Sequence, residues 1–162
     1  LLGLLAFSLM WAHYMVGTFQ VIRPFKAQQY FRWTGYIVLV LICLHPGLLI
    51  YQRFVDGYGL PPHSYETYVA PGLGWITVLG TASLFVFLAF ELRRFFDKKP
   101  WWHYVADAGD AAMLAIVYHA LRLGSTLSQG WFRAVWVFYG LTLCAVLVFK
   151  YARRFRHQAT SS

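Results

Sequence analysis

Apolar residues fall along this chain in five long stretches, with polar and charged residues gathered between them. The stretches run from about Leu1 to Ile22, Thr34 to Tyr51, Gly72 to Leu92, Tyr104 to Leu123, and Trp131 to Phe149. Each approaches the roughly 20 apolar residues that a helix needs to cross a hydrocarbon layer. Lipid offers no partners to backbone N–H and C=O groups, so loops and open strands are excluded from it and the stretches predict helices. The predicted fold class is all-α. It is a polytopic membrane helix bundle of five spans over residues 1–150, followed by a basic cytoplasmic tail over 151–162. No internal repeat or low-complexity segment interrupts the pattern.

Composition supports this pattern. Of 162 residues, 59% are hydrophobic and 12% charged, where a soluble domain carries about a quarter charged residues. The mean hydropathy of +0.52 points the same way. Disorder, collagen and a disulfide-stapled secreted scaffold are excluded, and no room remains for a separate soluble domain. The net charge of +8 would suit nucleic acid, but the basic residues sit at the ends of apolar runs. No basic stripe is left for a duplex, so nucleic acid is not an expected partner.

The placement of those cations predicts an orientation. Arg23, Lys26 and Arg32 follow the first span; Arg93, Arg94, Lys98 and Lys99 follow the third; Lys150, Arg153, Arg154 and Arg156 follow the fifth. The opposite face holds Arg53, Arg122 and Arg133 beside Asp56 and Glu66. By the positive-inside rule the N-terminus lies outside and the C-terminus inside. The chain opens at Leu1, without a Met and already within an apolar run, which predicts an upstream segment; no signal-peptide cleavage pattern is visible. The connection from Gln52 to Pro71, with Pro61-Pro62-His63, is external and should pack as a cap. Trp101, Trp102 and Trp131 fall where an interfacial aromatic belt is expected. Cys43 and Cys144 lie inside spans and lack metal-ligand spacing, so neither a disulfide nor a zinc site is expected.

Ionisable residues inside spans are costly and are functional candidates by default. His45 is thirteen residues past Arg32, or ~20 Å above the inner boundary at the helical rise. His119 is sixteen residues past His103 on a helix that also starts inside, or ~24 Å above it. Two imidazoles at matched depth on separate helices can ligate a haem iron from both sides. Alternatively each packs a helix and hydrogen-bonds a neighbouring carbonyl. His13, in the first span, reads better as a packing residue, and His63, His103 and His157 as loop or interfacial residues. Asp107 and Asp110, three apart, share one face in the inner half of the fourth span. They read equally as a proton or quinone site, with Arg32 as a pairing partner, and as the wall of a water-filled indentation.

The segment Phe31-Arg-Trp-Thr-Gly35 to His45-Pro46 resembles the haem-bearing helix of the ferric reductase-like transmembrane family. That family includes ferric reductases, NADPH oxidases and the haem subunit of the bacterial methionine sulfoxide reductase system. Its pattern is His-Arg, a Gly four residues after that His, and a second His fourteen residues after it, often before Pro. Arg32, Gly35, His45 and Pro46 match, whereas Phe31 stands at the first His. On the partner helix His119 matches the outer His, and Ala106 stands thirteen residues before it where the inner one is expected. Arg23-Pro24 also looks like the segment that precedes the family's haem helix.

Both departures belong to the inner haem. The resemblance therefore implies a single-haem variant with one haem b held by His45 and His119. The family core has six helices, which implies that its first lies upstream of Leu1. Arg122, one turn past His119, and Arg53, at the top of the second span, are candidates to pair the haem propionates. Both also read as snorkelling interfacial cations.

Bis-histidine ligation leaves no open iron position, so the resemblance implies electron transfer rather than oxygen binding. An inner redox centre is missing, and neither a flavin or nicotinamide domain nor a GxGxxG fingerprint follows Lys150. Electrons would come from a membrane quinol, a flavin or quinone held through a partner, or an electron-donor subunit, and pass to an external acceptor. This would make the chain a possible oxidoreductase component of the cell membrane, multi-pass in a bacterial inner membrane. The competing reading is a non-catalytic accessory subunit of a larger membrane complex. A small transporter fits less well, since no broken helix or paired repeat is present.

Overall fold

A computed structural model of the chain describes residues 1–91, 96, 98–128 and 130–161. The predicted end of the third span at Leu92 and the cations Arg93 and Arg94 lie outside the described residues, as do the side chains of Glu66, Tyr68 and His157. The described residues form helices α1 (Leu2–Ile22), α2 (Gln28–Val55), α3 (Tyr65–Tyr68), α4 (Gly74–Glu91), α5 (Trp102–Leu123) and α6 (Gly130–Ser161), with a 3-10 turn over Ser125–Ser128. No strand occurs among them. The all-helical class is as the hydrophobic pattern requires.

Four helices, α1, α2, α4 and α6, are long and apolar enough to cross a membrane. The fourth predicted span is a helix of adequate length, but Asp107, Asp110, His119 and Arg122 leave α5 short of the apolarity that marks those four. Its surroundings explain why it tolerates them. α5 packs against α4 along its length and against α6, and it buries Gly109, Asp110, Ala112, Met113 and Val117. A helix at the centre of a bundle can carry polar side chains that a lipid-facing one cannot.

α1 packs on α2 and on α6, and α4 on α5. The core lies where α1, α5 and α6 meet, with Phe7, Met113, Val117, Trp136, Leu143 and Leu147 in one cluster that the turn's Leu127 joins. The Phe7 and Trp136 rings pack tilted at 4.7 Å, and Trp11 and Tyr139 stack at 4.5 Å. The Trp11 indole N–H also donates to the Thr142 hydroxyl at 2.9 Å, so α1 and α6 are joined by both packing and a hydrogen bond. Large apolar side chains such as Phe85, Leu141 and Val148 point outward, as lipid-facing residues do. Cys43 and Cys144 are exposed free thiols on this outer surface.

Two boundaries differ from the hydrophobic runs. α2 extends beyond its apolar run at both ends and carries Pro46 within it. α6 continues through the basic segment to Ser161, where the sequence reading placed a tail. Lys, Arg and Ala are good helix formers, and Tyr151 and Arg154 from this extension bond to α5. The connection after α2 turns at Gly57 and Gly59, whose φ of +84° and +77° suit glycine alone. It then folds back as the expected cap. The Tyr65 hydroxyl is 2.8 Å from that of Thr81 on α4, and an Arg53 Nη donates to the Thr67 carbonyl at 2.8 Å and lies near its hydroxyl at 3.0 Å. The Arg53 guanidinium also covers the Tyr58 ring at 3.6 Å.

Candidate functional site

α2 stands off from α5, and two cavities stack in the space between the α1–α2 and α4–α5 pairs. Met10, Ile42 and Phe87 line both and form the septum between them. The cavity toward the capped end has a volume of about 540 Å³, and the one toward the basic end about 730 Å³.

His45 from α2 and His119 from α5 both line the capped-end cavity, together with Arg53, Pro61, Ser64 and Tyr65. The two imidazoles of the sequence reading therefore meet around one space. Each presses against a glycine of a neighbouring helix. A Cβ at Gly3 would lie 2.9 Å from His45 Nε2, and one at Gly80 would lie 2.6 Å from His119 Cε1. The Gly80 contact has a further effect. With no side chain there, the His119 ring reaches the backbone of α4 one turn back, and its Nδ1 lies 2.8 Å from the Ile76 carbonyl oxygen. A carbonyl only accepts, so Nδ1 carries the proton and Nε2 keeps its lone pair. A carbonyl that fixes the tautomer and orientation of a ring in this way is the usual outer-shell partner of a metal-ligating histidine.

Among the described residues, the Trp136 indole N–H and the Thr77 hydroxyl, which line the same cavity, are buried without a hydrogen-bond partner. Trp136 is 3% exposed. Leaving such a donor unsatisfied costs about 1–3 kcal/mol. Of the two candidate cations, Arg53 lines the cavity, whereas Arg122 is exposed and does not line it.

The basic-end cavity holds the two positions at which the sequence departs from the pattern it resembles. Phe31 and Ala106 both line it, with His13, Tyr14, Asp110 and Lys150. Asp110 is 3% exposed and fully satisfied. Tyr14 donates to one of its oxygens at 2.9 Å, and Tyr151 and Lys150 donate to the other, at 2.9 Å and 2.5 Å. Asp107, nearer the surface, takes Tyr151 at 3.1 Å and an Arg154 Nη at 3.1 Å from each oxygen. The partner proposed for the aspartates from the sequence, Arg32, is corrected here. Arg32 is exposed, its guanidinium 5.8 Å from the Trp33 ring, and the C-terminal extension of α6 supplies the cations instead.

His13 also lines this cavity, and its Nε2 contacts the Thr34 hydroxyl. That hydroxyl gives its own proton to the Tyr30 carbonyl at 2.7 Å, so His13 Nε2–H is the donor. His63 is exposed, and His103 Nδ1 bonds the Pro100 carbonyl at 2.6 Å. No group of three or more His, Cys, Asp or Glu able to hold a metal ion occurs among the described residues.

The sequence reading missed Gly3, Gly80, Tyr14, Lys150 and Tyr151. Lys150 carried a usable signal, since it ends an apolar run at the level of the aspartates. The glycines carried none, because nothing local distinguishes them from Gly17 or Gly35, beside which a Cβ would meet nothing within 4 Å.

Comparison with known protein families, with curated proteins and with solved structures finds no match.

Proposed function

We propose that this chain is a membrane electron-transfer protein of the cytochrome b type, holding one haem b between His45 and His119. The observation that carries the proposal is that these two histidines, from helices that stand apart, line one cavity, with the His119 tautomer fixed by the Ile76 carbonyl. The residues present fit such a group. About 540 Å³ lies within the roughly 300–1,000 Å³ of cofactor pockets. The lining is mostly apolar, and the Trp136 N–H and Thr77 hydroxyl await acceptors. Arg53 supplies a cation for a carboxylate. The match of Arg32, Gly35, His45 and Pro46 to the ferric reductase-like pattern is a separate support, drawn from sequence.

When bound, a haem held by His45 and His119 would supply a one-electron iron centre. The chain's own residues do the rest. The Ile76 carbonyl keeps His119 Nε2 free to ligate, and Gly3 and Gly80 give the two rings room. Pro61, Ser64 and Tyr65 close the cavity on the capped side.

The orientation we infer from the cation distribution places the capped end outside and the basic end in the cytoplasm. α5 then also crosses the membrane, as the fourth of five spans, and the protein lies multi-pass in a bacterial cell membrane with its external acceptor near the cap. Electrons reach it from a donor within the membrane or from a partner. The test is a reduced-minus-oxidised spectrum of purified protein. A low-spin b-type spectrum is expected, and a colourless preparation after haem-supplemented expression would overturn the reading. A reporter fused after Ser162 checks the orientation and should be active only in the cytoplasm.

A further inference from the structure

The basic-end cavity is the larger of the two, and the electron-transfer reading leaves it unused. Its walls are of two kinds. Gly17, Gly35, Ala106 and Gly109 present flat backbone, and Phe31 and Phe90 present rings. A Cβ at Gly17 or Gly35 would meet nothing within 4 Å, and one at Gly109 would touch Phe90 at 3.8 Å, so the space is open on α1 and α2 and bounded by Phe90 at α5. This suits a flat ring better than a folded acyl chain. Against that apolar slot stands one polar wall, with Tyr14, Asp110 and Lys150.

That wall continues to the surface as a hydrogen-bonded chain. Tyr14 donates to Asp110, and Tyr151 donates from a single hydroxyl 2.9 Å from Asp110 and 3.1 Å from Asp107. One proton cannot serve two carboxylates fully at once, so the Tyr151 hydroxyl is placed to pass a proton between them. The Asp110 side chain is 5% exposed and that of Asp107 is 35%. The chain thus leads from the cavity wall to water.

We propose that this cavity binds a membrane quinol, a flat ring with two hydroxyls and a hydrocarbon tail, and that Tyr14, Asp110, Tyr151 and Asp107 carry its protons to the basic face. The quinol hydroxyl donates to the Tyr14 oxygen while Tyr14 passes its own proton to Asp110. Asp110 then discharges through Tyr151 to Asp107 and water. Oxidising one quinol to quinone releases two protons and two electrons, so the path is used twice. The two electrons would pass one at a time to the proposed haem between His45 and His119, which would supply a one-electron oxidant that the external acceptor restores between them. Met10, Ile42 and Phe87, which line both cavities, would stand between the ring and the haem. The choice of oxidant rests on the haem reading, whereas the binding site does not.

The test begins with binding. Full-length protein in nanodiscs is irradiated with a photoreactive azidoquinone, and the labelled peptides are mapped by mass spectrometry. Label is expected on α1, α2 and α5 at the level of Gly17, Phe31 and Ala106, displaced by excess decylubiquinone. Gly17→Leu, and separately Ala106→Leu, fill the slot from different helices and should bring the label to background. Tyr14→Phe should keep the label yet slow haem reduction by decylubiquinol by roughly a hundredfold. Labelling elsewhere, labelling displaced by phospholipid headgroups but not by decylubiquinone, or labelling untouched by either Leu variant would overturn the site. Labelling without any haem would overturn the electron-transfer reading alone, and haem without labelling would overturn this one alone.

Discussion

His119 places its Nδ1 2.8 Å from the carbonyl oxygen of Ile76, a residue on the neighbouring helix. That contact exists because Gly80, one turn further along α4, leaves the carbonyl uncovered. A Cβ there would lie 2.6 Å from Cε1 and 2.8 Å from Nδ1 of the ring. Gly80→Ala should therefore push the imidazole off its carbonyl and broaden or abolish the low-spin haem spectrum. Gly130→Ala, where a Cβ meets nothing within 4 Å, should leave the spectrum unchanged.

The two candidate cations near the cavity should separate. A cation beside the site favours the reduced, less positive iron. Arg53 lines the cavity and Arg122 is exposed outside it. Potentiometric titration should show a lower midpoint potential in Arg53→Gln and a smaller shift, or none, in Arg122→Gln. The reverse order would place the haem carboxylates toward α5.

The two aspartate ion pairs differ in burial and should differ in worth. Removing Lys150 leaves Asp110, whose side chain is 5% exposed, as a buried charge without its cation. Breaking a wholly buried pair costs roughly 3–5 kcal/mol. Because the Lys150 side chain is 43% exposed and water screens it, Lys150→Met should cost about 2 kcal/mol. Arg154→Ala breaks a pair with both partners more than a third exposed and should cost at most ~1 kcal/mol. Thermal melting in detergent checks the order. Asp110→Asn combined with Lys150→Met should recover part of the loss.

The helices were legible because lipid forces a long apolar run into one conformation. The ends of α2 and α6 were less so, since hydropathy marks where a helix meets lipid and not where its hydrogen bonding stops. The basic residues after Phe149 read as a solvated tail, yet Lys150 and Arg154 bond the aspartates of α5. Contact across helices leaves no local trace, and the level at which Lys150 ends its apolar run was the one signal for that pairing. His45 and His119 could be placed at one level from helical rise alone. Their glycine neighbours, and the unpartnered Trp136 N–H beside them, emerge only once α1, α4 and α6 are assembled around the cavity.

The most direct test of the account is haem stoichiometry by pyridine haemochrome analysis, on wild type and on His45→Ala and His119→Ala. One haem b per chain is expected in the wild type, and each variant should lose the haem or its low-spin character. Two haems, no haem, or an unchanged low-spin spectrum in either variant would contradict it.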